Sequence, residues 1–276
     1  SRVESRCRGQ ARHNMGVTTV HVIPHSHTDP GWLDTADGYY TKDVRSILSN
    51  VFAELEAGSN RTFVWSETVF FARWWDELNA ARRVRVRALV DAGRLEFAGG
   101  GWVQHDEALP TVGGMIESMA EGHDWLYRTL GVRPTVGWQL DPFGHSAAST
   151  ALLGRMGLRA VVINRIHHKL KQRWRSARHL EFEWEAAPSL HWVHVLTHVL
   201  HTHYATPRGV DFENGTGVPY MHMCMHVCIH VCAHHACLPA MRPGLDFEKS
   251  RGGLSHEAAD TLIALVRKRA HRISSV

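Results

Sequence analysis

His27 and Asp29 stand two residues apart in His25-Ser26-His27-Thr28-Asp29-Pro30-Gly31-Trp32, directly after the apolar run Val20-His21-Val22-Ile23. In an extended strand, residues i and i+2 point to the same side. An imidazole and a carboxylate placed in this way can share one metal ion, and zinc accepts that mixture of ligands. A second segment, Trp138-Gln139-Leu140-Asp141-Pro142-Phe143-Gly144-His145-Ser146, puts Asp141 at the end of another strand-like run, ahead of a Pro-Phe-Gly turn. There it can bridge the metal and a substrate carbon. Together the two segments predict a metal-assisted hydrolase. Singly they say less: a lone His is more often structural, and a lone Asp often caps a helix. His145 and Ser146 offer a base and a hydroxyl, but neighbours on a turn rarely reach the geometry of a nucleophile–base pair.

These residues need elements to position them, and the chain supplies an alternation. Val20 to Ile23 reads as a strand, and Tyr39 to Ala57 as a helix with Val44, Ile47, Leu48, Val51, Phe52 and Leu55 on one face. Thr62–Trp65, Arg94–Ala98, Thr135–Leu140, Arg159–Ile163 and His191–Val199 read as strands. Between them, Glu67–Leu78, Arg83–Ala92, Gly114–Leu130 and Ser149–Met156 read as helices, two of them followed by the capping glycines Gly93 and Gly131. Strands alternating with helices predict an α/β fold with a parallel sheet. The polar residues gather where strands end: His27 and Asp29, Trp65 to Glu67, Asp106 and Glu107, Asp141, Arg165. Sites in parallel α/β folds form at the carboxyl ends of strands, so five such ends predict a barrel-like arrangement around one mouth, with an open doubly wound sheet as the alternative. Gly99-Gly100-Gly101 lacks the spacing of a dinucleotide fingerprint.

At 276 residues with a formal net charge of +4, the chain is long enough for one large domain or two small ones. The basic runs Arg82–Arg87 and Lys169–Arg178 lack interleaved aromatics, which argues against nucleic-acid binding and for solvated helix faces. No stretch has the length and apolarity of a membrane anchor, and no targeting segment is visible. Asn60-Arg61-Thr62 and Asn214-Gly215-Thr216 fit the glycosylation acceptor pattern. The body of the chain has no disulfide framework, since four of the five cysteines fall between Cys224 and Cys237.

That last segment is unusual. From His222 to His234 every second residue is His or Cys, separated by Met, Val, Ile or Ala. The period matches no common zinc-finger spacing. His and Cys codons run pyrimidine–purine–pyrimidine, and the intervening residues have codons of the opposite pattern, so the run reads as a translated dinucleotide repeat. The expected organisation is a disordered N-terminal segment at 1–16, a partial catalytic domain at 17–214, and at 215–276 a low-complexity tail outside the fold.

The signature blocks reach further. His25-Ser-His-Thr-Asp-Pro-Gly-Trp32, Gly100-Gly-Trp-Val-Gln-His-Asp-Glu-Ala108 and Asp141-Pro-Phe-Gly-His-Ser146 resemble those of the glycoside hydrolase family 38 α-mannosidases. Leu95-Glu96-Phe97, Ile163-Asn-Arg-Ile-His167 and His179-Leu-Glu-Phe-Glu-Trp184 agree as well, in order, from about Thr19 to about Asn214. The resemblance implies the (β/α)7 barrel of the family's N-terminal domain, incomplete at its C-terminal end. It implies a zinc-dependent retaining α-mannosidase acting on mannose-containing N-linked glycans in the Golgi lumen or lysosome. Carried over residue by residue, His27, Asp29 and Asp141 are zinc ligands, Asp141 is also the nucleophile, and Trp32, Phe143 and Arg165 serve the sugar subsite. The family's fourth ligand, a His, and its general acid, an Asp, lie downstream of the matching segment; Asp106 and Glu107 are nearer stand-ins for the acid. The other reading is a non-catalytic remnant that binds zinc and mannose. Oligomeric state is not indicated.

Overall fold

In the computed structural model, the described residues are 19–187, 193–204 and 225–232. The expectations for residues 1–16 and for the acceptor pattern at Asn214 lie outside them.

Strands and helices alternate as the α/β pattern requires. The chain runs β1 (Thr19–Ser26), α1 (Ala36–Tyr39), a π-helical turn (Tyr40–Val44), α2 (Arg45–Ala57), β2 (Phe63–Trp65), α3 (Thr68–Glu77), α4 (Ala80–Asp91) and β3 (Leu95–Phe97). It continues through α5 (Val112–Leu130), β4 (Val136–Phe143), α6 (Ala147–Arg155), β5 (Ala160–Arg165), α7 (His168–Ala177), β6 (Glu181–Glu185), β7 (His194–Val199) and β8 (Met225–Cys232). Helix starts follow capping chemistry. Thr35, Asn79, Thr111 and Ser146 each accept a backbone N–H from the first turn of α1, α4, α5 and α6. α3 and α7 depart from this rule: their cap residues, Glu67 and His167, make no side-chain cap bond.

β1, β2 and β3 pair in parallel, as do β4, β5 and β7. The two four-stranded sheets run β3-β2-β1-β8 and β4-β5-β7-β6, with antiparallel β8 and β6 on their outer edges. Gly99, just past β3, donates its N–H to Val136 O of β4 at 2.7 Å, which joins the sheets in barrel order. No closed barrel forms among the described residues, because antiparallel strands hold both outer edges. Within the His/Cys repeat, Met225–Cys232 lies along the full length of β1.

Alternation sorts the strands' side chains among three clusters, one of them holding Val161 and Ile163 of β5 with Val195 and Val199 of β7. Phe63 and Trp65 of β2 join the helix-side cluster with Phe52, Phe71, Trp74 and Leu126. Val64 instead meets Trp138 and Leu140 of β4 and Val162 of β5, in a cluster shared by both sheets. α5 presses on the turn after β3. A Cβ added at Gly122 would lie 2.1 Å from Gly100 O and 2.6 Å from Trp102 N, both backbone atoms that cannot rotate away. Gly122→Ala is therefore expected to cost about 1–3 kcal/mol through overpacking, seen as a lower urea midpoint at an unchanged slope. Wild-type stability would mean that α5 does not bear on this turn.

Candidate metal centre and active site

His27 follows the last residue of β1, and its ring lies against Tyr204, with centroids 5.2 Å apart. The chain then turns through Gly31 at φ 104°, whose N–H bonds back to Asp29 O at 2.8 Å. Positive φ suits glycine. The turn leaves Asp29 Oδ1 3.5 Å from His27 Nε2. Asp141 arrives from β4, where the pairing with β5 slips: Gln139 is opposite Ile163, but Phe143 is opposite Arg165. Such a bulge re-aims a side chain, and here Asp141 Oδ2 comes to 3.6 Å from the same Nε2. Ligand atoms of His27, Asp29 and Asp141 lie within 4.8 Å of one another.

Asp141 is held from two further sides. Arg165, at the end of β5, donates from Nε to Oδ1 at 2.8 Å, and its Nη2 donates to the same oxygen. Tyr204 donates its hydroxyl there too. His27 foremost, then Tyr204 and Arg165, hold the Asp141 carboxyl well below the usual carboxylate range, against the opposing effect of burial. Burial alone would lower the His27 pKa, but Asp141, Asp29 and Glu67 outweigh it and push it up to about 10. Burial and Asp141 raise the Tyr204 phenol, so it stays a donor.

One imidazole thus faces three carboxylates, since Glu67 Oε1 lies 3.7 Å from Nδ1. The site is built for positive charge. A nitrogen and two carboxylates facing one point match the donor chemistry of zinc, so the residues fit the metal.

Trp32 and Phe143 remain open: 74% and 65% of their surfaces are exposed on the loops that follow β1 and at the end of β4. The Arg165 guanidinium sits 5.7 Å from the Phe143 ring centroid, linking that aromatic to Asp141. Glu107 has another task. One oxygen accepts from Ser146 N at 2.6 Å and the other lies 3.2 Å from His145 Nδ1, which braces the loop after Asp141.

All six residues singled out for chemistry stand on these loops and strand ends. Tyr204 and Glu67 were not assigned roles from the sequence. Glu67 carries the signal of an acidic group at a strand end. Tyr204 carries none, since it reaches Asp141 across 63 positions of chain.

Residues 17–272 match a family model described as the glycosyl hydrolases family 38 N-terminal domain. Alpha-mannosidase 2x of Mus musculus is 45% identical over 165 residues, which cover 60% of this chain and 14% of that protein. Alpha-mannosidase F of Dictyostelium discoideum is 34% identical over 264 residues, 91% of this chain and 26% of that protein. The chain therefore spans between about a seventh and a quarter of these relatives' length. A solved alpha-mannosidase from Enterococcus faecalis V583 shares the fold at a TM-score of 0.54 and 18% identity, over 66% of this chain and 20% of that one.

Proposed function

The chain belongs to glycosyl hydrolase family 38, and from that membership we propose that it carries the zinc and nucleophile half of a retaining α-mannosidase site. The observation that supports this best is the convergence of His27, Asp29 and Asp141, delivered by two different strands, with Arg165 fixed on Asp141.

His27, Asp29 and Asp141 would hold the zinc. Bound there, zinc supplies a positive charge that gathers sugar hydroxyls and orients the ring. The other steps belong to the chain's own groups. Asp141 is the nucleophile, and it must be ionised to attack the anomeric carbon. Its neighbours secure that state, and the planar guanidinium of Arg165 fixes the plane of the carboxylate. Trp32 and Phe143 offer apolar faces to the C–H surface of the sugar. Retention also needs an acid/base residue. By the family resemblance this acid, the fourth ligand and the closure of a seven-stranded barrel come from residues downstream of the matching segment. The same resemblance supports terminal α-mannosyl residues of N-linked glycans as substrate and the secretory pathway or lysosome as location.

The test uses zinc-loaded and chelator-treated protein that carries this segment together with the downstream acid, with an aryl α-mannoside as substrate, and the anomer released is followed by NMR. The expected result is an α-configured first product and loss of activity on chelation, restored by stoichiometric zinc. Inversion, or hydrolysis indifferent to chelation, would overturn the proposal. Zinc-dependent mannose binding without turnover would assign the non-catalytic reading.

A further inference from the structure

Glu67 breaks a local rule. It occupies the N-cap of α3, where a short side chain ordinarily accepts a backbone N–H of the first turn. It makes no such bond. Its carboxylate turns inward and is fully buried. Burying an ionised carboxylate is costly unless hydrogen bonds and a cation compensate it. The hydrogen bonds are present. Ser66 Oγ donates to Oε1 at 2.9 Å, Ser26 Oγ to Oε2 at 3.2 Å, and the Thr28 backbone N–H adds a third donor. The backbone of Glu67 is pinned as well, since Trp65 Nε1 donates to its carbonyl at 2.8 Å. Facing the carboxylate is the His27 ring, whose Nδ1 lies 3.7 Å from Oε1. A cap given up locally and a carboxylate fully enclosed point to a purpose elsewhere.

We propose that Glu67 is the positioning residue for His27: it holds Nδ1 from beneath and so leaves Nε2 to face Asp29 and Asp141. The inference rests on the zinc reading above but has its own readout. A ligating His ordinarily gives its second ring N–H to a carboxylate or carbonyl, which fixes the tautomer and the ring plane. Without Glu67 the ring can flip, and the wrong nitrogen then faces the two aspartates. Glu67 touches neither sugar nor metal, and its effect passes through His27 alone.

The test is Glu67→Gln, which keeps the volume and most hydrogen bonds but removes the charge. Glu67→Asp keeps the charge on a shorter stem. Glu67→Ala is a poor probe because it orphans Ser26 and Ser66 and endangers the fold. Two measurements are made on the full chain. The first is zinc affinity by competition with a chromophoric chelator. The second, on metal-free protein, is the exchange of the His27 Nδ1 proton in a spectrum of ¹⁵N-histidine-labelled chain. Glu67→Gln is expected to weaken zinc binding about 10- to 100-fold and to speed exchange of that proton, with Glu67→Asp in between and thermal melting close to wild type. Wild-type zinc affinity together with wild-type proton protection in Glu67→Gln would overturn the proposal. If the wild-type chain takes no zinc, the metal reading falls, and the Nδ1 proton still decides whether Glu67 holds the ring.

Discussion

In protein that also carries the downstream acid, Asp141→Asn is expected to abolish turnover while leaving the fold in place. The substitution is nearly isosteric, and the side-chain oxygen still accepts from Arg165 and Tyr204, which both approach Oδ1. What disappears is the charge. An amide cannot form the glycosyl-enzyme ester, so the chemical step should slow by a factor on the order of 10⁴ or more. The same change removes a carboxylate facing His27 Nε2 at 3.6 Å. Zinc affinity should therefore fall by more than the roughly 100-fold that is typical of losing an outer-shell partner. Single-turnover kinetics on zinc-saturated protein separate the two effects. A variant that keeps a tenth of wild-type turnover under saturating zinc would remove Asp141 from the nucleophile's role.

The largest stability effect should come from Trp65→Ala. Trp65 is fully buried at the middle of the helix-side core, with its ring 6.3 Å from Phe63. Truncating a buried Trp costs about 3–5 kcal/mol. The loss should reach the site too, because the indole N–H fixes the carbonyl of Glu67, two residues on. Urea unfolding should show the loss of stability, and the same preparation should bind zinc more weakly. A loss below about 1 kcal/mol would show that β2 is not a packing centre, since surface changes usually fall within about half that.

Much of this was readable from residue order because it depends on near neighbours. His27 and Asp29 do reach one point, but both lie past the end of β1, and the turn at Gly31 rather than the strand pleat brings Asp29 there. The apolar stripe from Val44 to Leu55 is buried as its period requires, although a π-helical turn at Tyr40–Val44 divides the helix that the period alone makes continuous. α7 lies along the basic run that reads as a solvated helix face. None of its residues is fully buried, and its apolar positions Leu170, Trp174 and Ala177 are hidden within the basic run, with the Trp174 and Phe182 ring centroids 5.2 Å apart. β6 alternates Glu with Phe and Trp, but as an edge strand both its faces keep some exposure. The sheet order depends on pairings between distant segments, and periodicity does not choose partners. Tyr204 and Glu67 escaped for the same reason. Their value lies in His27 and Asp141: Glu67 shows itself only as an acidic group at a strand end, and nothing beside Tyr204 points to Asp141.

The central claim is that His27, Asp29 and Asp141 hold one zinc ion. The most direct measurement is a zinc titration of the wild-type chain beside His27→Ala, Asp29→Asn and Asp141→Asn, with X-ray absorption of the loaded wild type to identify the coordinating atoms. One zinc per chain, coordinated by histidine nitrogen and carboxylate oxygen and lost from all three variants, is the expected result. Zinc held by sulfur, or held equally well by the three variants, would contradict it.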